Sequence, residues 1–167
     1  MAVKPTNITV TTDGGASPSS GPWCQYAAIL QAADSQGEVH YKILRGQEPG
    51  TNNVGEMLAV IRALEAIKGD RHVITFRVDS EYVKNGITKW MPAWKKKGWR
   101  KADGDPVANE KLWKRLDQLT SNGNVVSFEH VRGHNGDHLN ELCDAIVNEV
   151  RLHNGDLTKC KITEADI

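Results

Sequence analysis

At 167 residues, with 21 basic and 21 acidic side chains, the chain carries no net charge and has a length suited to one domain. Its hydrophobic fraction of 39% supports a real core and excludes a membrane protein; no apolar run approaches the roughly 20 residues of a span. Neutrality argues against a general nucleic-acid binder, yet six basic residues and no acid lie between Lys89 and Lys101, and a local field counts for more than the sum.

The opening residues Met1-Ala2-Val3-Lys4-Pro5 lack the apolar stretch of a secretory signal, so a cytoplasmic protein is expected. Cys24, Cys143 and Cys160 are an odd set without paired spacing, which reads as free or buried thiols in a reducing compartment. No Cys/His cluster suggests zinc.

The alternating, β-rich stretch Ile8 to Asp13 predicts a first strand ending on a carboxylate, followed by the turn-rich Gly14 to Pro22. Strands are predicted at about 24–33 and 38–45, joined through Asp34-Ser35-Gln36-Gly37. Met57, Val60, Ile61, Leu64 and Ile67 then recur at helical spacing, with Asn52 or Asn53 as cap and Gly69 as stop. A fourth strand, Val73–Val78, ends at Asp79, and Ser80 can cap a short helix over 81–86. A tryptophan-rich basic helix is expected near 88–97, and Pro106 suits a first helical position. Leu112, Trp113, Leu116 and Leu119 mark another helix, Val125–Val131 a fifth strand, and Leu139, Leu142, Cys143, Ile146 and Val150 a last helix.

Hairpin-linked strands should be antiparallel, and strands joined by helical crossovers parallel. The expected fold class is therefore α/β, a mixed five-stranded sheet with three antiparallel strands followed by parallel ones and helices on both faces. Residues 1–152 form one expected domain and 153–167 a polar tail of undetermined structure.

Four acids stand out by position. Asp13 and Asp79 end predicted strands, Glu56 lies in the first turn of the first long helix, and Asp144 lies in the last helix beside its apolar stripe. Singly, such acids are more often turn formers, caps or solvated side chains. Together they would repel unless cations joined them, and hard oxygen ligands favour Mg²⁺ or Mn²⁺ over zinc.

Five stretches now bear on identity: Thr12-Asp13-Gly14; Thr51-Asn52-Asn53 followed by Glu56; Val78 to Val83; Gly86 to Trp90 continuing through Trp94 to Lys101; and Val131 to His134 continuing through Asn140 to Asp144. In this order they resemble the type 1 ribonuclease H family, the bacterial enzymes in particular, over about residues 8 to 150. The resemblance implies a ribonuclease H-like fold. It also implies an endoribonuclease that hydrolyses the RNA strand of RNA–DNA hybrids, leaving 5′-phosphate and 3′-hydroxyl ends. Two Mg²⁺ ions, replaceable by Mn²⁺, would sit among Asp13, Glu56, Asp79 and Asp144, and His134 would transfer protons or aid product release. For the substrate it implies RNA contacts at Gly14 and Gly15, a minor-groove contact at Asn52 and Asn53, and a DNA phosphate at Thr51. Trp94, Lys95, Lys96, Lys97, Trp99, Arg100 and Lys101 would grip the DNA backbone, while Trp90 and Trp113 pack the protrusion. The expected partner is the hybrid alone, with no membrane, bound by a monomer.

The chain also departs from the family pattern. Ser17, Ser19, Ser20, Trp23 and Gln25 break a glycine-rich run, and Ser19 falls where an asparagine often contacts substrate. Glu81 stands in place of a usual glutamine. Gly55 replaces a bulkier residue and should loosen its helix start by up to about 1 kcal/mol. A non-catalytic hybrid-binding module, or a nuclease of the same fold acting on another nucleic acid, are the competing readings.

Overall fold

The computed structural model describes residues 6–131 and 137–167. Five strands form one sheet in the order β3-β2-β1-β4-β5. They are β1 (Asn7–Gly15), β2 (Trp23–Ala33), β3 (Val39–Pro49), β4 (Val73–Val78) and β5 (Val125–His130). The β1–β2 and β2–β3 pairs are antiparallel, while β1–β4 and β4–β5 are parallel. This is the expected mixed sheet, because only the helical connections are long enough to return a strand in parallel.

Period-two alternation splits the core into two layers. Val10, Ile74, Phe76 and Val78 face α1 (Asn52–Ala66) and α4 (Glu110–Thr120), where Met57, Ile61, Trp113 and Leu116 are buried against them. On the opposite face, Ala27 and Ile29 meet Cys143, Ile146 and Val147 of α5 (His138–Leu152). Two short helices, α2 (Glu81–Asn85) and α3 (Met91–Lys96), flank a π-helical turn at Gly86–Trp90.

The helix boundaries refine the expectations. The α1 cap is Thr51, not Asn52 or Asn53: its extended backbone lets Oγ1 accept from the Val54 amide at 3.4 Å. Ser80 caps α2 by accepting from the Val83 amide at 3.3 Å. Pro106 does not begin a helix. Hydrogen bonds from the Lys101 amide to the Asp105 carbonyl and from the Val107 amide to the Trp99 carbonyl hold it in a bridge with Arg100. The helix instead starts at Glu110, after a left-handed Asn109 (φ 59°).

Residues beyond α5 are built onto the domain. Glu149 accepts from the amides of Lys161 and Ile162 at 3.0 and 3.2 Å, and Glu164 accepts from the Ile43 amide of β3 at 2.9 Å. No helix among the described residues is long and apolar enough to cross a membrane.

Candidate active site

The parallel pairing of β1 and β4 sets the site. Thr11 lies opposite Arg77, so the register carries Asp13 and Asp79, each two residues on, to the same end of the sheet. Glu56 reaches that end from the first turns of α1. Asp13, Glu56 and Asp79 line one narrow cleft with Thr12, Gly14 and Ser80. Asp13 Oδ1 accepts from the Gly14 amide at 2.9 Å. His130 holds the end of β4, its Nε2 3.1 Å from the Asp79 carbonyl oxygen; no motif singled it out.

Asp144 comes from the opposite face. The thiol of Cys143 donates to the Thr11 carbonyl at 3.3 Å, which pins α5 across β1 two residues before Asp13. Burial, reinforced by the charge of Asp13, pushes the Cys143 thiol up, so it stays protonated.

The electrostatics favour a cation. Burial first, and then the charge of Asp79, raise the Glu56 carboxyl above its usual range, although the Ser80 hydroxyl donates to Oε2 at 2.5 Å and opposes the rise. A hard divalent ion among these oxygens would remove that penalty, and an all-carboxylate donor set suits such an ion. The residues therefore fit a hard divalent ion.

Asp34, Glu38 and His40 form a tighter group of ligating atoms, but they are exposed on the β2–β3 hairpin. Asp34 there is a turn former, accepting from the amides of Gln36 and Glu38 and from His40. A cavity of about 330 Å³ lies at the far end of the sheet, lined by Ile8, Leu30, Tyr41, Ile67 and His72, away from the acids.

Glycine has a packing role at this end of the sheet. Gly14 is buried inside β1, and a Cβ there would meet the Gly55 backbone, so its missing side chain admits α1. Gly55 likewise sits under backbone, a packing requirement that adds to its cost in helix propensity. A Cβ on Gly15 would stand 2.8 Å from Asn52 Oδ1, which accepts from the Ala16 amide at 3.2 Å. Asn52 thus ties the first loop to α1, while Asn53 is half-buried beside it. Ser19 is exposed, its Oγ 2.6 Å from that of Ser17, and Glu81 is exposed at the start of α2. His134 lies outside the described residues.

The basic segment is mounted on aromatic packing. A Cβ at Gly86 would fall 1.9 Å from Cη2 of Trp113, so only glycine lets the π-helical turn rest on that fully buried ring. Trp94 packs against Trp90, Trp99 and Trp113 with ring centroids 5.5–6.4 Å apart. Trp94 and Trp99 are half-buried, and Trp90 is the more exposed ring. Lys96 and Lys97 are exposed; Lys95 pairs with Asp117 at 3.0 Å, Lys101 with Asp103 at 3.6 Å, and Arg100 donates to the Gly104 carbonyl.

A mixed sheet with acids at the ends of its two central parallel strands, a half-buried glutamate on the crossover helix and an aromatic-mounted basic segment defines an α/β domain equipped for divalent ions and polyanions. The RNase H family model matches residues 5–151. Ribonuclease H of Maricaulis maris is 46% identical over 144 residues, covering 85% of this chain and 91% of that protein. Ribonuclease H of Paracidovorax citrulli is 42% identical over 143 residues, covering 85% and 92%. Among solved structures, LC9-RNase H1, described as a type 1 RNase H with the type 2 active-site motif, superposes with a TM-score of 0.79 at 26% identity, covering 92% of this chain and 76% of that one. The chain belongs to the RNase H family.

Proposed function

We propose that this chain is a ribonuclease H that hydrolyses the RNA strand of RNA–DNA hybrids, with Mg²⁺ as its ion and Mn²⁺ as a substitute. The observation that carries the reading is the convergence of Asp13, Glu56 and Asp79 on one cleft in a chain of this family. Bound ions supply an activated water and positive charge against the phosphate. Asp13, Glu56, Asp79 and Asp144 would hold them, with Ser80 and His130 fixing Glu56 and the Asp79 backbone. His134 is assigned proton transfer or product release.

Substrate contacts divide by strand. The first loop, Gly14, Gly15 and Ser19 with Asn52 and Asn53 beside it, would face the RNA and the minor groove, where 2′-hydroxyls distinguish a hybrid from DNA. Thr51 and the Lys95–Lys101 segment would meet the DNA backbone, Lys96 and Lys97 foremost because Lys95, Arg100 and Lys101 are already engaged within the domain. The free thiols suit a reducing compartment such as the cytoplasm.

The test is cleavage of a labelled hybrid in Mg²⁺, beside single-stranded and double-stranded RNA, with Asp79→Asn and a chelator as controls. Cleavage of the hybrid's RNA alone, lost with the substitution and with chelator, is expected. Binding without cleavage in either ion would sink the enzyme reading in favour of a hybrid-binding module.

A further inference from the structure

A run of side-chain hydrogen bonds leads from the far edge of the domain to Asp144, and its polarity is fixed at every link. The Asn154 carbonyl can only accept, so Gln47 turns Nε2 toward it, at 3.1 Å. Gln47 Oε1 then accepts from Gln25 Nε2 at 2.9 Å, which turns Gln25 Oε1 toward Arg151. Arg151 donates to it from Nε at 2.9 Å, and from Nη1 to Asn148 Oδ1 at 2.9 Å. A guanidinium has no acceptor, so the Asn148 oxygen must face it, and the Asn148 Nδ2 must face Asp144 Oδ2, at 3.3 Å. Gln25, at the centre of the run, is only 1% exposed and cannot exchange these partners for water.

We infer that Arg151 is a positioning residue for Asp144. Anchored by Gln25, it orients the Asn148 amide, and that amide holds one carboxylate oxygen of Asp144 and leaves the other for a cation. Without the guanidinium the exposed Asn148 side chain is free to rotate into water and let go of Asp144. This inference rests on the reading of Asp144 as a metal ligand. It also accounts for Gln25, which the sequence marks as a break in a glycine-rich run. Arg151 has a competing use: its Nη2 lies 3.9 Å from where a Cβ on Gly15 would stand, close enough to the first loop to meet an RNA phosphate directly.

The test reads Mn²⁺ binding to the substrate-free protein by calorimetry, and KM for the hybrid with its salt dependence. The variants are Arg151→Met, Arg151→Lys, Asn148→Leu and Asp144→Asn, each with its melting temperature. Asn148 is exposed, so Asn148→Leu should fold even if Arg151→Met does not. Positioning predicts Mn²⁺ binding weakened on the order of tenfold in Arg151→Met and Asn148→Leu, partial retention in Arg151→Lys, and an unchanged KM. Unchanged Mn²⁺ binding in Arg151→Met and Asn148→Leu overturns the inference. A raised KM with a flatter salt dependence and unchanged ion affinity does so too, and makes Arg151 a phosphate contact. If Asp144→Asn itself leaves Mn²⁺ binding intact, the fault lies in the reading of Asp144 as a ligand.

Discussion

A Cβ on Gly14 would lie 2.4 Å from the carbonyl carbon and oxygen of Gly55 and 2.7 Å from the Glu56 amide nitrogen. The first turns of α1 therefore rest directly on the end of β1, and the distance between Asp13 and Glu56 is set by two missing side chains. From the other side, a Cβ on Gly55 would meet the Gly15 amide at 2.8 Å and the Gln25 carbonyl at 2.9 Å.

Gly55→Ala separates packing from propensity. Helix propensity alone favours alanine by about 1 kcal/mol. The contacts here are backbone and cannot swing aside, and overpacking of this kind costs about 1–3 kcal/mol. Urea unfolding should show a net loss of stability, with a fall in kcat because Glu56 moves. A more stable variant would mean that the α1–β1 contact yields easily.

Ser80→Ala should shift the acid limb of the pH–rate profile. In the metal-free protein Glu56 is raised above its ordinary 4.5 by burial and then by Asp79, and the Ser80 hydroxyl holds it down. A raised carboxyl binds its proton more tightly when folded, so its contribution to stability is present below 4.5 and lost as pH rises through the folded value. Removing the hydroxyl raises it further, and activity should then need a higher pH. Loss of the α2 cap adds a separate cost of about 1 kcal/mol at every pH. An unmoved acid limb would show that another group controls it.

Asp137→Asn probes the ion pair at the head of α5. Asp137 caps that helix by accepting from the Asn140 amide at 3.1 Å, and the Arg77 guanidinium beside it holds its carboxyl below the ordinary 3.8. Asparagine keeps a cap and loses the pair. The depressed carboxyl contributes stability above 3.8 that is lost as pH falls through the folded value. The variant should be less stable at neutral pH by on the order of 1–2 kcal/mol, with the gap closing in acid. Parallel urea midpoints at both pH values would argue that Arg77 gives nothing to the cap.

Lys96→Ala and Lys97→Ala together should lower the salt dependence of hybrid binding, read with the inactive Asp79→Asn protein. Each phosphate contact contributes about 0.9 to the slope of log affinity against log salt for duplex DNA, so the slope should fall by up to about 2. Lys95→Ala should change it less, because Asp117 already holds that ammonium. An equal effect at Lys95 would mean the pair opens on binding.

What the sequence revealed and what it hid follow one physical division. The mixed sheet, three antiparallel strands followed by parallel ones, and the place of Asp13 and Asp79 near strand ends were legible because they depend on hydrophobic period and connection length, which are local; the strand order and the register that brings the two acids together were not. The packing role of Gly55 stayed hidden because a helix start shows in sequence as propensity, whereas its backbone neighbours are Gly15 and Gln25, 30 or more residues away in the chain. Pro106 was misplaced because its partner is Arg100 in a bridge that no periodicity announces. His130, Asn148 and Arg151 carry no motif, and only the pairing of β5 with β4 and the packing of α5 bring them to the acids. The tryptophans illustrate the same limit: four aromatic residues among lysines suggest a binding surface, while Gly86 and Trp113 fix how deeply each ring is buried.

The bond from the Ile43 amide to Glu164 has a consequence for solubility. β3 is an outermost strand, and its outward amides are templates for another chain's strand. Glu164 occupies one of them with a carboxylate, so an incoming strand must displace the bond and accept a negative charge at the seam. Removing residues 161–167 would bare that edge together with the apolar surface under Ile162 and Ile167. The shortened protein should form concentration-dependent aggregates on mild warming, while its acid cleft, at the junction of β1 and β4, stays assembled.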